Sequence, residues 1–199
     1  MGIALTTLTT LATMFVCIVM ASFLEWTLHK YVMHRPVGSF SYAYEAHARV
    51  HHTRYRADDS YHLHERHAGD TKITMAWWNG IVLISGGMLP YLITGTIFYQ
   101  FGFLHIAIAI WGSSLMVCVA YYVGYEFTHW CMHNPQNRWV ERQRWYQWLN
   151  AHHLLHHKDH SKNLNVLFPL ADWCLGTLIT RAKYPFPQTR GPSVPDVQP

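Results

Sequence analysis

The stretch Ile73–Tyr125 reads ITMAWWNGIVLISGGMLPYLITGTIFYQFGFLHIAIAIWGSSLMVCVAYYVGY, 53 residues without an Asp, Glu, Lys or Arg. A helix rises about 1.5 Å per residue, so about 20 apolar residues cross a hydrocarbon core of about 30 Å. The stretch is long enough for two spans. The break falls at Tyr99-Gln100-Phe101-Gly102, giving spans over 75–98 and 103–125. Trp77, Trp78, Tyr121 and Tyr122 then lie near the span ends, where amphipathic rings favour the headgroup region. A soluble core of this length would carry a charged outer face, and this stretch has none. Towards the N-terminus, residues 2–24 are also uncharged and predict a third span. Met1-Gly2 matches the start of a myristoylation pattern, but the chain runs directly into the span. The apolar stretch is too long for a signal peptide, and no basic residues precede it.

The remaining composition agrees. Of 199 residues, half are hydrophobic and 13% are charged, about half the share usual in soluble domains. All 15 Lys and Arg residues fall within 30–72 or 138–190. Three spans put those two segments on one side, and the excess of positive charge predicts that this side is cytoplasmic, with the N-terminus opposite. The net charge of +4 comes without a basic run or nucleic-acid motif, so no nucleic-acid partner is expected. Cys17, Cys118, Cys131 and Cys174 form no C-x-x-C pair and read as small core residues. Residues 1–183 form one membrane domain. The Pro-rich tail 184–199 reads as an extended or disordered end.

Sixteen histidines are far more than a chain of this length usually carries, and most share the basic side. They form four boxes: His29 and His34; His47, His51 and His52; His129 and His133; and His152, His153, His156 and His157. The first and third follow span ends, and each begins with a Glu-aromatic-Thr step at Glu25 or Glu126. Each is followed by a double-histidine box, a degenerate repeat. At about 100° per residue on an α-helix, His153, His156 and His157 share one face. His129 and His133 stack one turn apart, about 40° round. His29 and His34 fall about 140° apart. The spacing of the last box also fits His152 in place of His153, which leaves the two as alternatives. Imidazole is a favoured ligand of Fe, Zn and Cu. Ten imidazoles (His29, His34, His47, His51, His52, His129, His133, His153, His156 and His157) are too many for one ion and suit two. Glu25, Glu126 and Asp172 are candidates to accept N–H from ligand rings and so fix their tautomers. His152 and His160 are further candidates for that supporting layer. His62, His64 and His67 read as a solvated loop, and His105 lies towards the opposite face.

These boxes resemble those of the fatty acid hydroxylase superfamily, which includes sterol desaturases, lipid hydroxylases and carotenoid hydroxylases. The resemblance rests on H-x4-H at His29/His34, the pair His51/His52, H-x3-H at His129/His133 and H-x-x-H-H at His153/His156/His157. It extends to a closing N…P…D…G-T segment at Asn163, Pro169, Asp172, Gly176 and Thr177. It departs at position 48, where Ala48 makes the second box H-x3-H-H. The resemblance implies an all-α membrane protein with a cytoplasmic helical cap. It also implies two irons, replaceable by zinc, that activate O2 to hydroxylate or desaturate a lipid or other apolar substrate. Trp26, Tyr31, Trp77, Trp78, Tyr122, Tyr125 and Trp130 are candidate walls for a substrate slot. Electrons would come from a separate ferredoxin or cytochrome, with Arg138, Arg142 and Arg144 as a docking face, because the sequence has no flavin or haem motif. The membrane would be a bacterial inner membrane or the endoplasmic reticulum. A metal transporter would instead need ionisable groups near mid-membrane, and a bis-histidine cytochrome would need its ligands inside the spans.

Overall fold

The computed structural model describes residues 2–62, 76 and 78–180. His64, His67, Trp77 and the tail 184–199 lie outside the described residues. Helix α1 (Gly2–Leu28) continues through a π-helical turn, His29–Met33. The short helix α2 (Tyr42–Tyr44), a second π-helical segment (Glu45–His51) and α3 (His52–Arg54) follow. Helices α4 (Trp78–Gln100) and α5 (Leu104–His133) form a hairpin, and α6 (Arg144–Lys158) and α7 (Leu170–Cys174) complete the chain. Among the described residues the only β pairing is an isolated bridge between Val37 and Phe40.

Three helices are long and apolar enough to cross a membrane: Gly2–Met33, Trp78–Gln100 and Leu104–His133. Their outer faces are what a bilayer demands of a spanning helix. Ile3, Phe15, Ile81 and Ile93 are 86%, 69%, 60% and 56% exposed, a loss no water-soluble fold would accept for side chains worth roughly 1.5–3 kcal/mol each on burial. Polar side chains within the spans turn back on their own helices. Thr6 and Thr10 donate to carbonyls four residues earlier, as do Ser113 and Ser114 on α5.

The central helix is α5, with α1 and α4 both packed along it. Glycine permits the closest approach. A Cβ at Gly80 would lie 2.6 Å from the Tyr122 ring, and one at Gly95 would lie 2.2 Å from the Trp111 indole. The α1 contact includes Cys17 and Cys118, whose sulfurs are 3.7 Å apart; all four cysteines are free thiols. Between α1 and α4 there is no comparable seam, and the gap is a cavity of about 550 Å³. At the histidine end, α6 seats Tyr146 and Leu149 against Cys131 and Met132 of α5 and Val166 beyond. Trp26, Leu164 and Ala171 form a second apolar knot, which ties the closing segment to α1.

Candidate metal centre

The ten histidines expected as ligands come together in two groups of five. His29, His34, His47, His52 and His156 form group one, and His51, His129, His133, His153 and His157 form group two. Within each group the ring nitrogens lie within 4.8 Å of one another. Nine of the ten side chains are buried, and His34 is half-buried.

Local winding brings them there. On an α-helix His29 and His34 would diverge, but the chain between them is a π-helical turn. Its i→i+5 hydrogen bonds return a residue five positions on to the same side, and the two rings stack with centroids 5.0 Å apart. The second π-helical segment does the same for His47 and His52, whose Nε2 atoms are 3.0 Å apart. His51 points to the other group. His129 and His133 keep ordinary α spacing on α5, and His153, His156 and His157 share the buried face of α6.

The inward atoms are Nε2 throughout. In group one the Nε2 contacts are His29–His47 at 2.8 Å, His34–His156 at 3.2 Å and His52–His156 at 3.2 Å. In group two they are His51–His129 at 3.2 Å, His51–His157 at 3.3 Å, His133–His153 at 3.1 Å and His153–His157 at 3.0 Å. Adjacent ligands on one ion, with metal–nitrogen bonds of about 2.1 Å, stand roughly 3.0–3.4 Å apart. The observed spacings fit that frame.

Proton counting points the same way. His156 Nδ1–H donates to the Lys162 carbonyl at 2.8 Å and His133 Nδ1–H to the Tyr61 carbonyl at 2.8 Å. His29 donates likewise to Leu164 O, and His157 to Tyr55 O. A neutral ring that spends its proton on Nδ1 presents a bare lone pair at Nε2. A cation placed among such lone pairs is coordinated by them. These four rings are held in the form a metal needs. Burial drives the basicity of His47, His51, His52, His153, His156 and His157 well below the ordinary value, and like charge on neighbouring histidines adds to it. His34 is pushed down to about 2 by burial and by His29 and His160 beside it.

The supporting layer differs from the expectation. Glu25 does not meet a ligand ring. It accepts from Tyr121 Oη at 2.6 Å, Val166 N at 2.5 Å and Asn165 Nδ2 at 3.2 Å, which fastens the closing segment to α1 and α5. Glu126 has a buried Oε1 with no hydrogen-bond partner among the described residues. Asp172 does accept from a histidine, but from His152, at 3.2 Å and outside both groups. It also accepts from Leu164 N, Asn165 N and Thr177 Oγ1. Burial pushes this carboxyl up, and the hydrogen bonds outweigh it and hold the acid below its usual range. His152 is thereby separated from His153: one braces the closing segment and the other joins group two. His160 is exposed and its ring stands 4.1 Å from that of His52 and 5.4 Å from that of His34. His62 is exposed and outside both groups. His105 is 24 residues before His129 on α5, about 36 Å away along the helix.

The residues that sequence reasoning missed are the four whose main-chain carbonyls accept from ligand rings: Leu164, Lys162, Tyr55 and Tyr61. Main-chain acceptors leave no side-chain code. The one available signal was the Asn163-Leu-Asn165 pattern. Asn163 takes a left-handed conformation, φ 52°, and clamps Ile179 and the His152 carbonyl. That clamp sets the course of Lys162 and Leu164.

Comparison with protein-family models, with curated proteins and with solved structures found no match. The cavity completes the site. Its walls run from Cys17, Gly87, Pro90 and Cys118 in the spans to His29, Ala43 and Trp78 beside group one. Tyr122 and Tyr125 line it as well, and Tyr125 lies 5.7 Å, ring to ring, from His129 of group two. Of the other aromatic candidates, Trp26 is buried and donates to Thr177, Tyr31 packs on Trp26, and Trp130 lies under the Arg138 guanidinium.

Proposed function

We propose that this protein is an O2-dependent dimetal oxygenase of the membrane that hydroxylates a C–H bond of a lipid or similar apolar substrate. One observation carries the reading: an apolar cleft between spanning helices is lined at its inner end by His29 of the first five-imidazole group, and Tyr125 in the same lining lies 5.7 Å, ring to ring, from His129 of the second. The all-nitrogen donor sets suit iron and accept zinc in its place. Bound iron would supply the oxygen activation and C–H cleavage that no side chain here can perform. Five protein ligands to an ion would leave a position open. The resemblance to the fatty acid hydroxylase superfamily supports the same reading.

The residues of the chain do the positioning. Trp78, Val82 and Leu83 on α4, Leu24 and Leu28 on α1 and Val32 in the π-helical turn form apolar walls that admit an alkyl chain and exclude water. Glu25, the one acid among the described lining residues, is turned into hydrogen bonds with Tyr121 and the closing segment and so does not compete for the chain. Depth along the cleft selects which carbon reaches the histidines. The carbonyls of Leu164, Lys162, Tyr55 and Tyr61 hold four ligand rings in one tautomer. Electrons come from a separate acidic carrier, for which the exposed Arg142 and Arg144 beside α6 offer a docking face. Their charge, with that of the other basic residues, supports a cytoplasmic orientation for the histidine end.

The test is lipid mass spectrometry of cells with and without the protein, supplied with iron and a donor system. A species heavier by one oxygen supports hydroxylation. Loss of two hydrogens would make the enzyme a desaturase built on the same centre. An unchanged lipidome, from protein that carries two metals per chain, would overturn the reading.

A further inference from the structure

Residues 163–180 contain a single charged residue, Asp172, and it is fully buried. The flanking charges in sequence are Lys162 and Arg181. The outward side of this segment is apolar instead. Phe168, Trp173 and Leu175 are 40%, 70% and 47% exposed, and Cys174 and Gly176 are exposed between them. Such a surface is out of place on the basic, water-facing end of the molecule.

Its depth explains it. Helix α5 begins at Leu104, at the end remote from the histidines. Tyr121 lies 17 residues further on, about 26 Å along the axis. Its hydroxyl bonds to Glu25. Ser22 is three residues back along α1, about 4–5 Å lower. Ser22 therefore sits about 21 Å into a hydrocarbon core of about 30 Å. The closing segment is fastened to that residue. Ser22 Oγ donates to the Phe168 carbonyl at 2.6 Å and accepts from Ala171 N at 3.1 Å, and Asn165 Nδ2 donates to the Ser22 carbonyl at 2.8 Å.

Irregular backbone survives at membrane depth only where its polar groups are satisfied by protein. This segment meets that condition. Asn163, Asn165 and Asp172 bond the main-chain N–H groups of Ile179, Asp172, Leu164 and Asn165. Polar groups turn inward and Phe168, Trp173 and Leu175 turn outward.

We propose that α7 and its flanks are a re-entrant anchor, with Phe168, Trp173 and Leu175 seated in the acyl region of the leaflet that borders the histidine groups. The occupant of this face is bilayer lipid. The placement has a consequence for the metal centre. The segment carries the Leu164 and Lys162 carbonyls, which hold His29 and His156, both of group one. The acceptors of group two, Tyr55 and Tyr61, are elsewhere. The bilayer thus braces one group and not the other. The anchor rests on depth and exposure and does not depend on the oxygenase reading.

Cys174 is the exposed native thiol among the four cysteines, so the full-length protein reports on itself. A nitroxide is attached there after reconstitution into phosphatidylcholine bilayers, with identically treated C174A as background. Collisional relaxation by O2, which concentrates in acyl chains, is compared with that by a water-soluble nickel chelate. The reference is a nitroxide at exposed Ser161, introduced as S161C in the C174A background. The O2-to-nickel ratio at Cys174 is expected to exceed that at S161C several-fold. Equal ratios, with both labels open to nickel, would place α7 in water and overturn the anchor. Protection of Cys174 from both reagents would mean that a protein covers the face, and would overturn it as well.

Discussion

At the scale of single residues, neighbouring histidines have opposite duties. His153 Nε2 faces His133 and His157, whereas His152 Nε2 faces Asp172 and its ring stacks on Trp148 at 5.2 Å. If each group holds an ion, His153→Ala is expected to release the one in group two, and His152→Ala to leave both bound with affinity lowered about 10–100-fold, as for other supporting residues. Metal analysis of the purified variants checks this, and complete loss from H152A with full retention by H153A would reverse the assignment. Asn163 invites a second measurement. Asn163→Ala removes three buried hydrogen bonds and puts a side chain less tolerant of φ 52° in their place, so it should lower stability by about 2–4 kcal/mol. Asn163→Gly, which relieves the conformation but not the bonds, should fall between. Equal thermal midpoints for all three proteins would refute the clamp. Sequence spacing alone could not choose between His152 and His153, because both fit an H-x(n)-H-H pattern. The choice is made by Asp172, 20 residues away.

At the scale of elements, the spans were plainly legible. The turn Phe101–Phe103 lies where the uncharged stretch was divided, because a bilayer fixes span length and few other readings fit 53 uncharged residues. The π-helical turns were not legible. The H-x4-H pair looks badly placed on a regular helix, and that mismatch was itself the signature of the turn that corrects it. Glu25, expected beside a ligand ring, is drawn elsewhere for a related reason. Glu25 stands at the expected height, but a chain segment 140 residues later takes its oxygens. The cleft offers a test at this scale. Gly86 lines it, and a Cβ added there would meet nothing within 4 Å. Gly86→Phe should therefore fill the deep half without disturbing the α4–α5 seam. If the cleft holds an alkyl chain as proposed, long straight-chain fatty acids are expected to lose affinity while short ones keep theirs, read by displacement of a fluorescent fatty acid. Equal weakening of both would show that position 86 does not face the bound chain.

At the scale of the molecule, the two groups concentrate many rings that the fold keeps neutral. His34, pushed down to about 2, and six others held well below the ordinary value bind no proton near pH 6, whereas the unfolded chain, with histidine near 6.5, does. Where the unfolded state binds more protons, stability rises with pH. This contribution is present above about 6.5 and is lost as the pH falls below it. Metal binding needs the same neutral rings and moves the same way. Thermal unfolding of the detergent-solubilised protein should come at a lower temperature at pH 5.5 than at pH 7.5, with metal released together. A midpoint that rises on acidification would contradict the neutral-histidine core.

The missing seam between α1 and α4 has a kinetic meaning. The cleft lies between two helices, each lined up on α5 but not on each other, so on the proposed function its lipid substrate enters from within the membrane plane. A chain that enters this way never crosses the aqueous phase. Its encounter rate follows mole fraction in the membrane, not amount per volume of suspension. If the protein is the lipid oxygenase proposed above, diluting the substrate with inert lipid at constant total substrate should slow turnover, whereas diluting the whole vesicle suspension with buffer should leave turnover per protein unchanged.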